Sequence, residues 1–319
     1  MWLGILFGVG AGFLWGITYL LPLALSLYDP LYIALGRCSV MGATAVAGLW
    51  LQRKFLKDLA LSDWKAAFAL TMIGNVIQSW TIFLSVEYAG AVIAGMCFGL
   101  CPVLIALIAN ERDKRKGKPF LPLIRLTLPL AMLFIGLVLA NSSELSDFIR
   151  AGRDPVQFFI GLAFGLSSTA MWTWYPIRNA DWLLDHPKVS PVFWTNFQCA
   201  ILLPVGAALF AFASFVRGDL AGPLGPEPLK FAGWMLLAGI FCSWGATALW
   251  NAMSQRVPTA LAGQMLVVES IFSIIFAHLW NWKLPTLTLI AGVLLMIGGI
   301  SWSLALFSSA KGKAPAAES

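Results

Sequence analysis

Two ionisable residues lie deep inside apolar runs of this 319-residue chain: Glu269 in "GQMLVVESIFSIIF" (263–276) and Arg37 in "LYIALGRCSVMG" (31–42). A carboxylate and a guanidinium can bind opposite charges, pair with each other, or, for the acid, carry a proton. Counted from Pro258, Glu269 is about 11 residues into its run, roughly 16 Å at 1.5 Å per residue. Arg37 is about 8 residues into its own run, roughly 12 Å. In a bilayer both would sit near the middle of a ~30 Å hydrocarbon core. A charge there costs at least ~2.5–3.5 kcal/mol. Two costly residues at one depth suggest a shared aqueous cavity or a direct pair. A structural Arg–Glu bridge and a pair facing a translocation path are both compatible with that depth. A bridge broken by proton or substrate would be both at once.

Other polar residues recur at helical spacing around the same depth. Asn75 and Gln78 lie three apart, which places them on one helical face. Ser243, Thr247, Trp250 and Asn251 share a face at offsets of four, seven and eight, and Met265, Glu269 and Ser273 stack with Gln264 beside them. Amides inside spanning helices often only join helices together; their mid-span depth is what makes Asn75, Gln78, Asn251 and Gln264 candidates for a cavity. Of the 15 tryptophans, Trp2, Trp64, Trp182, Trp280 and Trp282 fall near run ends, where indole suits the membrane interface. Trp15, Trp172, Trp174, Trp194, Trp244 and Trp250 fall deeper, as core packing or as ligand walls. Aromatic walls around an acid favour an amine or an aromatic zwitterion. An arginine suits the bidentate recognition of a carboxylate. An amino acid carries both groups.

The elements that position these residues follow from composition. The chain is 59% hydrophobic and 11% charged, with mean hydropathy +0.81. Soluble domains carry about a quarter charged residues, so too little polar surface exists to cover a water-facing globule, and the class is integral membrane protein. Ten apolar runs are long enough to span: about 2–25, 29–51, 64–85, 88–109, 121–140, 156–176, 190–215, 230–252, 257–280 and 285–308. They are too long, and alternate too little, for barrel strands. The first run has no basic leader and no cleavage site, which makes it a retained helix. With the N-terminus inside, 14 Lys and Arg fall in inner loops, among them Arg53, Lys54, Arg112 and Arg115, against 5 outside (Arg150, Arg153, Arg217, Lys230, Lys283). That bias places both termini in the cytoplasm. It also accounts for the net charge of +6 without nucleic acid.

The ten runs fall into two sets of five. The ladder Gly4, Gly8, Gly12, Gly16 with Trp15 is answered by Gly161, Gly165, Thr169, Thr173 with Trp172. Pro30 answers Pro191, Trp64 and Trp80 answer Trp234 and Trp250, and Leu126-Thr127-Leu128 answers Leu287-Thr288-Leu289. Five is odd, so the second copy enters the membrane from the other side, the inverted-repeat plan of secondary transporters. The expected organisation is a first repeat over 1–140, a periplasmic connector over 141–155, an inverted repeat over 156–308 and a cytoplasmic tail over 309–319.

The stretches "FLWGITYLLP" (13–22), "ALGR" (34–37), "AGAVIAGMCFGLCPVLIAL" (89–107), "PTALAGQMLVVESIFSIIFA" (258–277) and "LIAGVLLMIGG" (289–299) resemble the drug/metabolite transporter superfamily in its ten-helix, EamA-type form. Within it, "LTMIGN" (70–75), "RNADWL" (178–183), "CSWGATALWNAMSQRVPT" (242–259) and "VVES" (267–270) are similar to the YtfF-like inner-membrane proteins of Gram-negative bacteria. The fourth run keeps an apolar-proline step at Cys101-Pro102; the ninth has Glu269-Ser270 where the family often places a proline. The resemblance implies an all-α carrier, often a proton-linked exporter, with no cofactor and no obligate partner beyond a small-molecule substrate and the bilayer, so that a monomer suffices.

The expected function is therefore a proton-linked exporter of amino acids or related small metabolites, in which a protonatable Glu269 couples flux to the gradient. The alternatives are a multidrug or organic-cation exporter and an importer of the same fold. Small multidrug carriers use an acid in the first helix, and residues 2–25 contain none. An enzyme is disfavoured: His186 and His278 lack metal-ligand spacing, and Cys97 and Cys101 have no further ligands near them. His186 itself, in "LLDHPK", reads as a solvated loop residue.

Overall fold

A long apolar run in lipid must satisfy its backbone within itself, which leaves the helix as the default. Every regular element among the described residues is helical. The computed structural model describes residues 1–117, 120–142, 146, 154–217, 224–282 and 284–311. Most of the expected connector and tail lie outside them. Ten helices are long and apolar enough to cross a membrane. They are α1 (Trp2–Ala24), α2 (Tyr32–Leu51), α3 (Leu61–Ala89), α4 (Ile93–Arg115), α5 (Leu123–Ala140), α6 (Pro155–Asp185), α7 (Pro191–Phe212), α8 (Pro228–Ser254), α9 (Thr259–Asn281) and α10 (Leu287–Ser309).

Several are interrupted at mid-length. In α1 the α-helix stops at Ile17 and a 3-10 turn, Thr18–Leu20, leads into Leu21–Ala24. Pro22 has no N–H to offer a carbonyl four residues back, which favours the break; the Thr18 hydroxyl donates to the Trp15 carbonyl at 2.6 Å. The third and eighth helices each carry a π-helical stretch, Met72–Ile77 and Leu237–Gly245. The fourth and ninth are each split by a short turn, after Phe98 and after Gln264.

The chain forms two compact units that interleave in sequence: residues 1–75, 179–256 and 268–282, and residues 76–178, 257–267 and 283–319. In the first unit α1 packs on α8, and α2 on α7. Glycines set these approaches. A Cβ at Gly42 would meet the backbone of Leu202 and Leu203, and one at Gly12 would lie 3.0 Å from the Glu269 nitrogen. Gly12 and Gly16, the inner half of the glycine ladder of α1, thus form a close-packing surface against α9. In the second unit α3 meets α6 at Ala89 and Gly161, α4 packs on the start of α9, and α5 packs on α10. There Gly136 and Gly292 face each other: a Cβ on either would come 2.6 Å from the other's carbonyl oxygen.

Three expectations change. The sixth helix runs through Asp185, nine residues beyond the expected end, because its last turns are held by buried polar contacts. Trp182 is only 8% exposed and stacks on Trp194 at 3.4 Å, so it is core, not interface. His186 is not simply solvated: it stacks on Trp182 at 4.1 Å, with Nε2 3.7 Å from the Asp63 carboxylate.

Candidate transport site

The first unit brings Arg37 and Glu269 into one polar cluster. Arg37 Nη1 donates to Ser243 Oγ at 2.9 Å. Ser243 Oγ in turn donates to the Ala238 carbonyl five residues back at 2.8 Å, which matches the π-helical winding at that point. Ser243 is 2% exposed, so the hydroxyl satisfies a buried helix carbonyl and still offers its oxygen to the guanidinium.

Glu269 is held from the other side. Its carboxylate lies within electrostatic reach of both the Tyr19 phenol and Arg37. Gly12 lets the α1 backbone come close to the Glu269 amide, and the break at Thr18–Leu20 directs the next residues. Tyr19 is 48% exposed while Glu269 and Arg37 are half-buried. The cluster is therefore not fully enclosed by the rest of the chain. Among the described residues no Lys, Arg or His nitrogen lies within 4.0 Å of the Glu269 carboxylate. The two charges share a field: Arg37 is held by the Ser243 hydroxyl, and Glu269 faces the Tyr19 phenol.

Of the other candidates, Trp15 and Trp250 meet with ring centroids 5.4 Å apart. Trp250 is 2% exposed and its indole N–H has no partner. Trp244 donates to Asn196 Oδ1 at 2.7 Å. Asn251 is fully buried in a dense network. Its amide nitrogen donates to Thr195 Oγ1 at 2.8 Å, and its oxygen accepts from Asn179 Nδ2 at 2.7 Å. Asn179 Oδ1 accepts from Trp194 Nε1 at 2.8 Å and Gln198 Nε2 at 2.7 Å. That network joins helices.

Asn75 is half-buried within the π-helical stretch of α3, so the α-helical pitch that would put it on one face with Gln78 does not hold there. Gln78, Trp172 and Gln264 belong to the second unit. Gln78 Nε2 donates to Ser168 Oγ at 3.0 Å. Trp172 stacks on Tyr175 at 5.2 Å and lies 5.8 Å from Phe98, its N–H without a partner. Gln264 is fully buried, with Nε2 on the Ala260 carbonyl at 3.4 Å and Oε1 unpartnered.

Sequence reading passed over Tyr19. Its one signal is position, three residues before the Pro22 break. Ser243 was expected on a polar face of α8, but nothing in its spacing assigns it to Arg37.

The EamA-like transporter family matches residues 2–110, which span α1 to α3 and most of α4. The inner membrane protein YtfF of Escherichia coli (strain K12) is 32% identical over 302 residues, covering 93% of each chain. The chain belongs to the EamA-like transporter family. A solved crystal structure aligns with this EamA-like chain at TM-score 0.74, over 96% of it and 98% of the other; at 18% identity that likeness is one of fold. The match to the EamA-like family contains Tyr19 and Arg37, while Ser243 and Glu269 lie beyond it.

Proposed function

We propose that the protein is a secondary active transporter of the inner membrane, a proton-linked exporter of amino acids or related small metabolites working by alternating access. One observation carries the substrate class. A guanidinium and a carboxylate stand in one cluster without pairing, Arg37 bonded to Ser243 and Glu269 facing Tyr19. Hydroxyl contacts are exchanged for a ligand's charges more readily than an ion pair is broken. A carboxylate at Arg37 and an ammonium at Glu269 complete such a site. A lone organic cation leaves Arg37 repelling it, which disfavours the multidrug alternative.

The helix pairs support the inverted repeat. If each helix of the first five corresponds to one of the second five, the pairs α2–α7, α4–α9 and α5–α10 each map onto themselves, and α1–α8 maps onto α6–α3. Those are the pairs that pack. The matched interruptions in α3 and α8, and in α4 and α9, point the same way, since broken helices in corresponding positions accompany midplane sites.

The test is flux in proteoliposomes with an imposed pH gradient. Glu269→Gln is expected to abolish gradient-driven accumulation of labelled amino acid while leaving substrate exchange measurable. Normal pumping by that variant would remove the acid from the coupling role. Import against the same gradient would favour the importer of the same fold.

A further inference from the structure

Within the first unit the charged cluster has a ceiling of stacked rings at the end where α1 leads into α2. Tyr28, 5% exposed, lies in the α1–α2 connection and stacks on Phe231 of α8 at 4.7 Å. Tyr32 of α2 stacks on Phe210 of α7 at 4.3 Å and lies 5.4 Å from Phe231. Leu21 and Leu25 complete the ceiling from the α1 side. Its lower surface rests on the transport site. Phe231 and Met235 pack so closely on Gly36, the residue before Arg37, that a Cβ there would lie 2.9 Å from each. Ala238, fully buried in the same cluster, supplies the carbonyl that holds Ser243.

A single hydroxyl ties this ceiling to the connection before α8. Tyr28 Oη donates to the Leu224 carbonyl at 2.9 Å and accepts from the Glu227 amide N–H at 2.8 Å. Between them Gly225 turns at φ +71°, and a Cβ there would come 2.5 Å from the Tyr28 ring, so both backbone and space call for glycine. We infer that Tyr28 is the latch of a gate. The stacked rings seal the Arg37–Glu269 cluster at its α1–α2 end, the structure is the state closed at that end, and opening requires the Tyr28 hydroxyl to leave the Leu224–Glu227 turn. Calling the seal a gate rests on the charged cluster being the transport site. Packed rings alone would make a permanent wall. Two neutral hydrogen bonds to the backbone of a connection make a reversible one, because water replaces each at a small net cost.

The test is thiol labelling of the full chain in proteoliposomes, with a charged, membrane-impermeant methanethiosulfonate added on the side of the α1–α2 connection. Leu27→Cys, at an exposed position, fixes which side that is. Ser243→Cys places a thiol beneath the ceiling, and the unaltered protein supplies the background of its five native cysteines. With Tyr28 intact, Ser243→Cys is expected to label slowly. Adding Tyr28→Phe, which keeps the stacked ring and removes both hydrogen bonds, should speed it about tenfold. Gly225→Ala should do the same from the other side of the latch. Labelling of Ser243→Cys as fast as Leu27→Cys with Tyr28 intact, or no change in either latch variant, overturns the inference. So does equal acceleration at Cys97 and Cys101, buried in the second unit, because that reports loosening of the whole fold. If labelling depends on the latch and no amino acid moves in the flux assay, the substrate reading falls while the latch stands.

Discussion

At the scale of single residues, polar groups inside this protein divide into those that are satisfied and those held by exchangeable partners. Asn179 belongs to the first kind. Replacing it by leucine strands the Trp194 and Gln198 donors and the Asn251 acceptor in a buried place. Each unsatisfied buried group costs about 1–3 kcal/mol, so Asn179→Leu should lower the thermal unfolding temperature in detergent by several degrees or prevent folding. Substitutions at Asn251 should likewise cost stability before affinity, which a comparison of melting and binding curves reads directly. Tyr19 belongs to the second kind. Tyr19→Phe keeps the ring and removes the hydroxyl that faces Glu269. Because the side chain is 48% exposed, stability should hold while gradient-driven flux falls about tenfold. A variant that unfolds, or that transports normally, would place Tyr19 among the structural residues.

At the scale of elements, glycine contacts and helix breaks decide what meets what. The α5–α10 contact rests on backbone approach at Gly136 and Gly292, where a single added Cβ would sit 2.6 Å from the opposite carbonyl oxygen. Gly136→Val should therefore force the two helices apart, read as a lowered melting temperature and a broadened gel-filtration peak. The same change at Gly95, whose Cβ would meet nothing within 4 Å, should be tolerated. The π-helical stretch of α8 has a separate effect. By winding wider between Leu237 and Gly245 it turns Ser243 toward Arg37 while its hydroxyl still serves the Ala238 carbonyl. An α-helix through the same residues would present a different side chain to the guanidinium.

At the scale of the whole molecule, the uneven spread of Lys and Arg predicts an orientation in the bilayer. The basic stretches Arg53–Lys57 and Arg112–Lys116 fall on the side expected to face the cytoplasm. A fluorescent reporter fused after residue 319 should fluoresce, and alkaline phosphatase fused there should be inactive. The opposite pair of results would invert the orientation. Ten spans and their approximate limits were legible without coordinates, because length and hydropathy are properties of local sequence. The glycine ladder of α1 was legible as a packing surface for the same reason.

What the amino-acid order alone determined, then, is a ten-helix membrane protein with an acid and a base set inside apolar runs. Only the tertiary structure decided their partners. Tyr19 reaches Glu269 across 250 positions and Ser243 reaches Arg37 across 206. Asn251, a cavity candidate by its depth, is bonded to Asn179 and Thr195. Trp182, placed by its position at an interface, is buried beneath Trp194. The reason is physical. Inside a bilayer every helix is apolar on most of its surface, so hydrophobic periodicity no longer says which face meets which neighbour. Close packing at small residues and hydrogen bonds between distant side chains settle that instead.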